Sequence, residues 1–319
     1  MKHFQYNKSK TQTHHSETKT KMSFKLLSYN IYLRTPLLNA RGNDYKEKRL
    51  EQMLQYEIDK YDVIIFQELW AAFNFRRSKC IKEAEKKGFR YHESLHRTFF
   101  PLYFVDGGVT ILSKHPIVET DQIVYSRGCC QDWWSAKGIL YTKLKVGDDK
   151  FIHLFGTHTQ ADYKKTWEEN KRTRKYRNVQ LKECFDFIKK KTKNDDYPIL
   201  FAGDLNIIGG TRDYDELIEL MKNERYKFQP KDILFDQHNE HPTTFNDMID
   251  GHKVDEVITS VVNETGCPIR LDYVFFLNQE NRKELQYKDC VVEKFHSHDN
   301  VPFPFLSDHY GIQTMIVYE

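Results

Sequence analysis

The sequence predicts an α/β fold in which two packed β-sheets are flanked by helices. Three observations support this: short β-rich runs occur along the chain, helical spacing alternates with some of them, and no Gly/Ser/Pro-rich linker divides it. With 319 residues, 39% of them hydrophobic, the chain can bury a sizeable core. We expect one domain over residues 23–319 and a polar, basic, disordered tail over residues 1–22.

The predicted strands are short runs rich in Val, Ile, Leu, Phe and Tyr, bounded by Gly, Asp, Asn or Pro. In chain order they are Phe24–Leu33, Asp62–Gln67, Gly108–Ser113, Gly138–Val146, Phe151–His158, Pro198–Asn206, Leu271–Leu277 and Gly311–Tyr318. Helical spacing of apolar residues occurs twice, at Leu50, Met53, Leu54 and Ile58 and at Leu181, Cys184, Phe185 and Ile188. Many strands with fewer helices favour two sheets packed face to face, with the helices outside.

Composition excludes several classes of protein. A formal net charge of +3 is too small to predict nucleic-acid binding by itself. The six cysteines form no CxxC pair, so neither a disulfide framework nor a zinc site is predicted, and reduced thiols are expected. The first 25 residues contain no signal-peptide core, and no stretch is apolar enough to span a bilayer. Motifs of serine hydrolases, P-loop enzymes and dehydrogenases are absent.

Polar residues stand repeatedly at the ends of the predicted strands. They are Asn30, Glu68, His158, Asp204, Asn206, Asp272, Asp308 and His309. Each one alone has an ordinary explanation, because Asn and Asp often end strands and a single His usually packs. Strand ends on one rim of a sandwich can bring distant residues together, so we expect these groups to converge.

The converging residue types suit hydrolysis of a phosphodiester. A hard divalent cation neutralises the phosphate and takes oxygen ligands, which Glu68 and Asn30 offer. Water needs a base that is neutral near pH 7, and Asp272 could orient His309 for this role. A second histidine and Asn206 could stabilise charge on the phosphate oxygens. Direct attack by water is favoured, because no motif for a nucleophilic Ser or Cys is present.

Seven motifs in order resemble the endonuclease/exonuclease/phosphatase superfamily over residues 23–319. They are SYNIY, IIFQELW, GVTILSKHPI, LFGTHTQAD, ILFAGDLNI, LDYVFF and LSDHYGI. The resemblance implies a DNase I-like, four-layered α/β sandwich with two mostly antiparallel sheets. Within the superfamily, DGGVTILSKHPIVE, KGILYTKLK and GTHTQA are most similar to bacterial-type neutral sphingomyelinases (sphingomyelinase C).

The resemblance implies magnesium-dependent hydrolysis of sphingomyelin to ceramide and phosphocholine, with manganese or cobalt as possible substitutes. The implied metal residues are Asn30, Glu68 and Asp308; the implied catalytic residues are His158, His309, Asp272, Asp204 and Asn206. Asp106 corresponds to a residue that holds a second, peripheral metal in secreted relatives, but its partners are not evident here. Secreted relatives also carry a disulfide, for which Cys129 lacks a partner in residues 160–175.

Two aromatic pairs are candidates for contact with a membrane. Trp133 and Trp134 lie in a polar, Gly-containing loop, and Phe303 and Phe305 precede the Asp308–His309 pair. Aromatic side chains favour the membrane interface, although packing inside the fold would explain them equally well. The Phe pair is the better candidate, because the resembled enzymes carry an exposed aromatic hairpin there.

Two other readings stay open. One is a phosphoester hydrolase of the same superfamily, a nuclease or an inositol-phosphate phosphatase; the other is a binding module that kept the fold. The second is disfavoured because no implied catalytic position is replaced. We expect a monomer that contacts membrane lipid peripherally and does not act on nucleic acid. The expected location is the cytoplasm or the membrane surface, with export by an unrecognised route left open.

Overall fold

The computed structural model describes residues 21–35, 44–96, 105–164, 166–245, 247–249, 252–253 and 268–319. Most of the predicted tail, residues 1–20, lies outside the described residues. The first strand begins at Met22, two residues before the predicted start.

The described residues form fourteen strands. In chain order they are β1 (Met22–Leu33), β2 (Val63–Leu69), β3 (Tyr91–Ser94), β4 (Thr110–Ser113), β5 (Ile117–Val124), β6 (Gly138–Lys145), β7 (Phe151–His158), β8 (Ile199–Asp204), β9 (Gln229–Asp232), β10 (Met248–Ile249), β11 (His252–Lys253), β12 (Asp272–Asn278), β13 (Gln286–Glu293) and β14 (Gly311–Tyr318).

These strands form two large sheets and a short hairpin. The first sheet has the order β13-β14-β1-β2-β4-β3, and the second has the order β5-β6-β7-β8-β12-β9. One neighbouring pair in each sheet is parallel, β1 with β2 and β7 with β8, and the other pairs are antiparallel. The predicted fold class is therefore confirmed, including its mostly antiparallel sheets.

Four of the five helices in the described ranges pack on the outer faces of the sheets, and the last one places Ile233 and Leu234 in the core between the sheets. The five helices are α1 (Lys46–Gln52), α2 (Arg76–Lys86), α3 (Lys171–Thr192), α4 (Arg212–Lys222) and α5 (Ile233–His238). Helix α1 continues into a π-helical turn over Met53–Glu57 and a 3-10 turn over Ile58–Lys60. No helix in the described ranges is both long enough and apolar enough to cross a bilayer.

Alternation along the strands explains the four layers. In β2, Val63 and Ile65 enter the core between the sheets, whereas Ile64 and Phe66 join the cluster that contains Leu50 and Met53. Successive side chains of a strand point to opposite faces, so a strand buried on both faces reads as one continuous apolar run. Apolar residues of α3 similarly pack on the outer face of the second sheet.

All eight predicted strands occur, with bounds that differ by one or two residues at most ends. The predicted helical spacings fall in α1 with its continuation and in α3. The prediction missed α2, α4, α5, the short hairpin and the strands β3, β5, β9 and β13. These four strands are the outer edges of the two large sheets.

Candidate active site

Strand register brings the predicted polar residues to one rim of the sandwich. Asp204, at the end of β8, pairs with His158 on β7 and with Asp272 on β12. The two sheets meet at this rim, because Asn30 Nδ2 donates to Asp204 Oδ2 at 3.0 Å. Ser307 Oγ donates to the Asn30 carbonyl oxygen at 2.6 Å, which holds the segment before the last strand against the same rim.

Gly203 allows the close approach of β7 and β8 at this rim. Its φ is 149°, and a Cβ there would lie 1.9 Å from the Thr157 carbonyl oxygen. Only glycine fits that space. The glycine of the GDLN motif thus positions Asp204 beside His158.

His309 and Asp272 form a buried pair. His309 Nδ1 lies 2.9 Å from Asp272 Oδ2, and His309 Nε2 lies 3.8 Å from Asp204 Oδ2. The His309 ring also packs on Phe245, with centroids 4.7 Å apart. Burial alone would lower the pKa of His309, but the Asp272, Asp204 and Asp308 carboxylates raise it well above its usual value. This imidazole therefore has a high affinity for a proton.

His158 lies beside a buried lysine that the sequence analysis missed. Lys137 Nζ is 3.1 Å from His158 Nε2, and it also contacts Asp132 Oδ1 at 2.9 Å and the Thr159 carbonyl oxygen at 2.8 Å. Burial, Lys137 and His309 lower the pKa of His158 well below its usual value, so this ring is neutral at pH 7. In the sequence, Lys137 is marked only by its position directly before a predicted strand, which is common for lysine and says little about function.

Asp204 and Asn206 complete this side of the site. Burial and the nearby Asp272 raise the pKa of Asp204 to about 7, although His309 and Lys137 oppose the shift. Asn206 has a φ of 50°; its backbone N donates to Asp204 Oδ1 at 2.9 Å, and its side chain donates to the Thr159 carbonyl oxygen at 3.2 Å. The left-handed turn thus holds the Asn206 side chain against Thr159, the residue that follows His158.

Glu68, Asn30 and Asp308 gather at the opposite side of the same rim. Glu68 Oε1 accepts from Asn30 Nδ2 at 3.2 Å, while Glu68 Oε2 is buried and has no hydrogen-bond partner among the described residues. Burial and the Glu68 charge raise the pKa of Asp308 to about 6, although His309 and two arginines oppose the shift. An unpaired buried carboxylate oxygen beside a second carboxylate fits a hard divalent cation such as magnesium.

A second group could also hold a cation. Ligand atoms of Asp204, Asp272 and His309 all lie within 4.8 Å of one another. Two of these residues already satisfy each other through the His309–Asp272 hydrogen bond. Each group contains one buried carboxylate oxygen without a hydrogen-bond partner among the described residues, Asp272 Oδ1 in this group and Glu68 Oε2 in the other. The Glu68 group fits a magnesium ion better, because its side chains offer only oxygen ligands, whereas this group includes the His309 imidazole.

A cavity of about 880 Å³ opens onto both sides of the rim. Its polar lining includes His158, His309, Asp204, Asn206, Glu68, Asp308 and Lys137. Its apolar lining includes Trp70, Phe73, Trp134, Trp167, Ile208 and Leu271. A cavity of this size accommodates a lipid headgroup, and its mixed lining suits a molecule that is polar at one end and apolar at the other.

The structure corrects the preferred prediction about membrane contact. Phe303 and Phe305 are only 2% and 3% exposed. Phe303 packs against Tyr45 in the helical layer, and Phe305 packs against Tyr310. The prediction that this pair faces a membrane is wrong, because both rings pack inside the fold. Trp133 and Trp134, by contrast, are 55% and 52% exposed.

The surroundings of Asp106 do not fit a peripheral metal. Its Oδ1 accepts from Gly108 N at 2.9 Å and from Arg77 Nη1 at 3.1 Å, and its Oδ2 accepts from Ala71 N at 2.9 Å. A guanidinium and two backbone amides therefore already surround the carboxylate. The five cysteines in the described ranges are free, Cys129 among them. Cys267 lies outside the described residues.

Comparison with known proteins identifies relatives over nearly the whole chain. Residues 27–309 match the model of the endonuclease/exonuclease/phosphatase family. A sphingomyelinase of Dictyostelium discoideum is 33% identical over 88% of this chain and 76% of its own length. A phospholipase C of Staphylococcus aureus is 30% identical over 91% of this chain and 86% of its own length. A solved beta toxin variant from Staphylococcus aureus with bound magnesium ions is 28% identical, with a TM-score of 0.68 over 92% of this chain and 99% of its own.

Proposed function

This chain belongs to the endonuclease/exonuclease/phosphatase family, and on that premise we propose that it hydrolyses sphingomyelin to ceramide and phosphocholine. The reaction is direct attack of water on the phosphodiester, supported by a magnesium ion. The Dictyostelium relative is named a sphingomyelinase, and the beta toxin relative binds magnesium ions. The observation that carries the proposal is the buried His309–Asp272 pair beside an unpaired Glu68 oxygen in one cavity.

His309 is the proposed base for the attacking water. Its Nδ1 lies 2.9 Å from Asp272 Oδ2, so in the neutral ring Nδ1 donates to Asp272 and the Nε2 lone pair can accept a proton. Burial, the hydrogen bond to Asp272 and packing on the Phe245 ring keep this nitrogen in one orientation. Nearby carboxylates raise the pKa of His309, and a divalent cation held by Glu68 and Asp308 would oppose that effect and favour the neutral ring. Asp272 acts by fixing the tautomer and by stabilising the charged ring that forms.

A second group of side chains in the cavity would stabilise the negative charge that develops on the phosphate. His158, Lys137 and Asn206 line the cavity together and offer one cationic and two neutral hydrogen-bonding groups. Preorganised donors in a water-poor site need little reorganisation during the reaction. A divalent cation at Glu68 and Asp308, with Asn30 beside them, would neutralise the phosphate and stabilise the leaving oxygen.

The test is release of phosphocholine from sphingomyelin dispersed in detergent, with magnesium and with EDTA in excess. Release that EDTA abolishes is expected. Replacing the base, His309→Ala, is expected to lower turnover by about 10²–10⁴-fold or more while the circular dichroism spectrum stays unchanged. His92→Ala changes a histidine on the edge strand β3 and serves as the matched control.

Two outcomes would contradict the proposal. Near-normal turnover by His309→Ala would remove the assigned base. Failure of the wild-type protein to release phosphocholine, together with cleavage of DNA or of an inositol phosphate, would replace the substrate but keep the family chemistry. The same magnesium and EDTA conditions are used for all three substrates.

A further inference from the structure

Two loops at the cavity mouth carry pairs of exposed aromatic side chains. Phe73 and Phe75 follow β2 and are 70% and 86% exposed; Trp133 and Trp134 precede β6 and are 55% and 52% exposed. We call these four residues the aromatic rim. Phe73 and Trp134 also line the cavity that contains the two histidines. Clustered exposed aromatics at a site entrance indicate an interaction surface.

The loop that carries the Phe pair is held rigidly. The buried Asp106 carboxylate accepts from Ala71 N at 2.9 Å and from Arg77 Nη1 at 3.1 Å, which fixes both ends of the loop. Phe73 has a φ of 58°, a left-handed conformation that is costly for a bulky residue. The fold therefore accepts backbone strain at a side chain that stays 70% exposed.

The loop that carries the Trp pair is held in the same way. Asp132, also buried, pairs with Lys137 at 2.9 Å through Oδ1 and accepts from Ala161 N at 2.8 Å through Oδ2. A 3-10 turn over Cys130–Trp134 then directs the chain outward. Trp133 and Trp134 are thus presented by a fixed turn.

The two loops are joined to each other. Val105, next to Asp106, forms a bridge with Ser135. Val105 N donates to the Trp134 carbonyl oxygen at 3.2 Å, and Ala136 N donates to the Val105 carbonyl oxygen at 3.0 Å. The aromatic rim is therefore carried by one connected part of the molecule.

Exposed cations outnumber exposed carboxylates beside the aromatic rim. In the described parts of residues 126–134 and 163–172, the exposed charged residues are Arg127, Lys164, Lys171 and Arg172 against Glu168 and Glu169. The second of these segments adds Trp167, which is 45% exposed and lines the cavity. Aromatic side chains among cationic residues complement the phosphate level of a phospholipid bilayer, where rings insert and cations meet phosphates.

The geometry points to the aromatic rim as the surface by which this protein docks on a phospholipid bilayer. Phe73, Phe75, Trp133 and Trp134 enter the interfacial region together, and the cavity mouth then faces the headgroups directly. This inference rests on the proposed function in taking the substrate to be a membrane lipid. The sequence indicated the Trp pair, whereas the Phe pair of the rim comes from the structure and replaces Phe303 and Phe305.

The test measures binding without turnover. Wild-type protein in EDTA is sedimented with phosphatidylcholine vesicles that contain or lack sphingomyelin. The variants are Phe75→Ser and Trp133→Ser, which change the two rim residues outside the cavity lining. Each is expected to lower the vesicle partition coefficient about tenfold, and the double variant about 100-fold. Val118→Ser changes an apolar residue on β5 that is 51% exposed, close to the 55% of Trp133, and is expected to bind like the wild type.

The outcomes separate this inference from the proposed function. Variants that sediment like the wild type, or a wild type that does not sediment with either vesicle, overturn the docking surface even if detergent-dispersed sphingomyelin is hydrolysed. A wild type that sediments through the aromatic rim but releases no phosphocholine overturns the proposed function and keeps the surface. Tryptophan fluorescence gives a second readout: the vesicle-induced blue shift of the wild type is expected to decrease in Trp133→Ser.

Discussion

His158 and His309 line one cavity, but their neighbours shift their pKa values in opposite directions. Burial, Lys137 and His309 lower the pKa of His158, whereas three carboxylates raise the pKa of His309 against the effect of burial. The two rings are therefore suited to different tasks. A neutral His158 can hydrogen-bond a phosphate oxygen, and the carboxylates around His309 give its neutral form a strong affinity for the proton of the attacking water.

Lys137 was not assigned a role by the sequence, but its position in the structure predicts that it contributes to turnover. Its ammonium lies 3.1 Å from His158 Nε2 and lines the cavity. We expect Lys137→Met to lower turnover about 10²–10³-fold, because a cationic donor to the phosphate is lost. The measurement is steady-state hydrolysis of detergent-dispersed sphingomyelin, accompanied by thermal unfolding to confirm that the variant folds.

Lys143→Met is the matched control for this change. Lys143 lies on the same strand, β6, and pairs with Asp195 at 2.8 Å away from the cavity lining. Its turnover is expected to stay within about twofold of the wild type. Full turnover in a folded Lys137→Met protein would show that Lys137 only holds the loop that carries Trp133 and Trp134.

At the scale of single elements, a buried ion pair anchors the start of β12. Arg270 Nη2 lies 2.6 Å from Asp232 Oδ1, and Arg270 Nε donates to the Asp272 carbonyl oxygen at 3.1 Å. Asp232 also caps α5 by accepting from Phe235 N at 3.3 Å. The pair thus connects β9, α5 and the strand that presents Asp272.

Breaking this pair is expected to destabilise the fold. Arg270→Met leaves the Asp232 carboxylate buried without its cation, at a cost of about 3–5 kcal/mol in the free energy of unfolding. Urea denaturation measures the effect. The control is Arg212→Met, which breaks an exposed pair with Glu216 and is expected to cost about 0.5 kcal/mol or less.

The double variant Arg270→Met with Asp232→Leu tests whether the unpaired Asp232 charge is what destabilises Arg270→Met. It is expected to be more stable than Arg270→Met alone, because the unpaired charge is removed along with its partner. A double variant that is less stable than the single one would mean that packing, rather than the unpaired charge, dominates. The cycle needs only four unfolding curves at one pH.

A second ionic cluster links β6 and β7 to the segment before β8 and makes stability depend on pH. Asp195 lies 2.6 Å from His153 Nε2 and 2.8 Å from Lys143 Nζ. Burial raises the pKa of Asp195, but these two partners outweigh burial and hold the pKa below its usual value. A carboxyl whose pKa is lowered by folding contributes stability above its unfolded pKa and loses it as the pH falls.

Asp195→Asn is therefore expected to be less stable than the wild type at pH 7, by about 1–3 kcal/mol. The difference is expected to be constant between pH 6 and 8 and to shrink below about pH 4. Urea unfolding at a series of pH values measures it. Asp148→Asn, at an exposed loop position, provides the baseline. A difference that stays constant down to pH 3 would contradict the assignment.

At the scale of the whole molecule, the rim joins both sheets around several buried acidic groups. Asn30 and Glu68 come from the first sheet, Asp204 and Asp272 come from the second, and Asp308 precedes β14. Gathering acidic groups in a buried place costs free energy unless a cation is bound. The stability of the complete fold is therefore expected to depend on a divalent ion.

Magnesium is expected to raise the midpoint of thermal unfolding, and EDTA is expected to reverse the effect. Ligand present at 100 times its dissociation constant adds about 2.7 kcal/mol to the free energy of unfolding. Glu68→Gln removes one carboxylate of the site and is expected to lose most of the shift. Glu51→Gln, at an exposed position on α1, is the control and is expected to keep the full shift of the unfolding midpoint. An equal shift in both variants would place the ion elsewhere.

The sequence predicted the interior of the fold because interior strands have a strong local signal. The eight predicted strands are β1, β2, β4, β6, β7, β8, β12 and β14, and all of them have neighbours on both sides. Strands covered on both faces read as apolar runs, whereas the four edge strands carry polar, exposed residues and lack such a run. These four segments form strands because each hydrogen-bonds to a neighbouring strand, an interaction that leaves no local pattern in the sequence.

The sequence by itself determined the fold class, the family and the polar residues that the strand ends carry to one rim. Tertiary structure alone decided that Lys137 joins His158, that Phe303 and Phe305 turn inward, and that Phe73 and Phe75 turn outward. The physical reason is the range of the interactions. Strand runs and motifs are local patterns, but burial, ion pairing and hydrogen bonding depend on contacts between residues that are not neighbours in the chain, as for the ion pair of Asp106 with Arg77 and the hydrogen bond of Lys137 with His158.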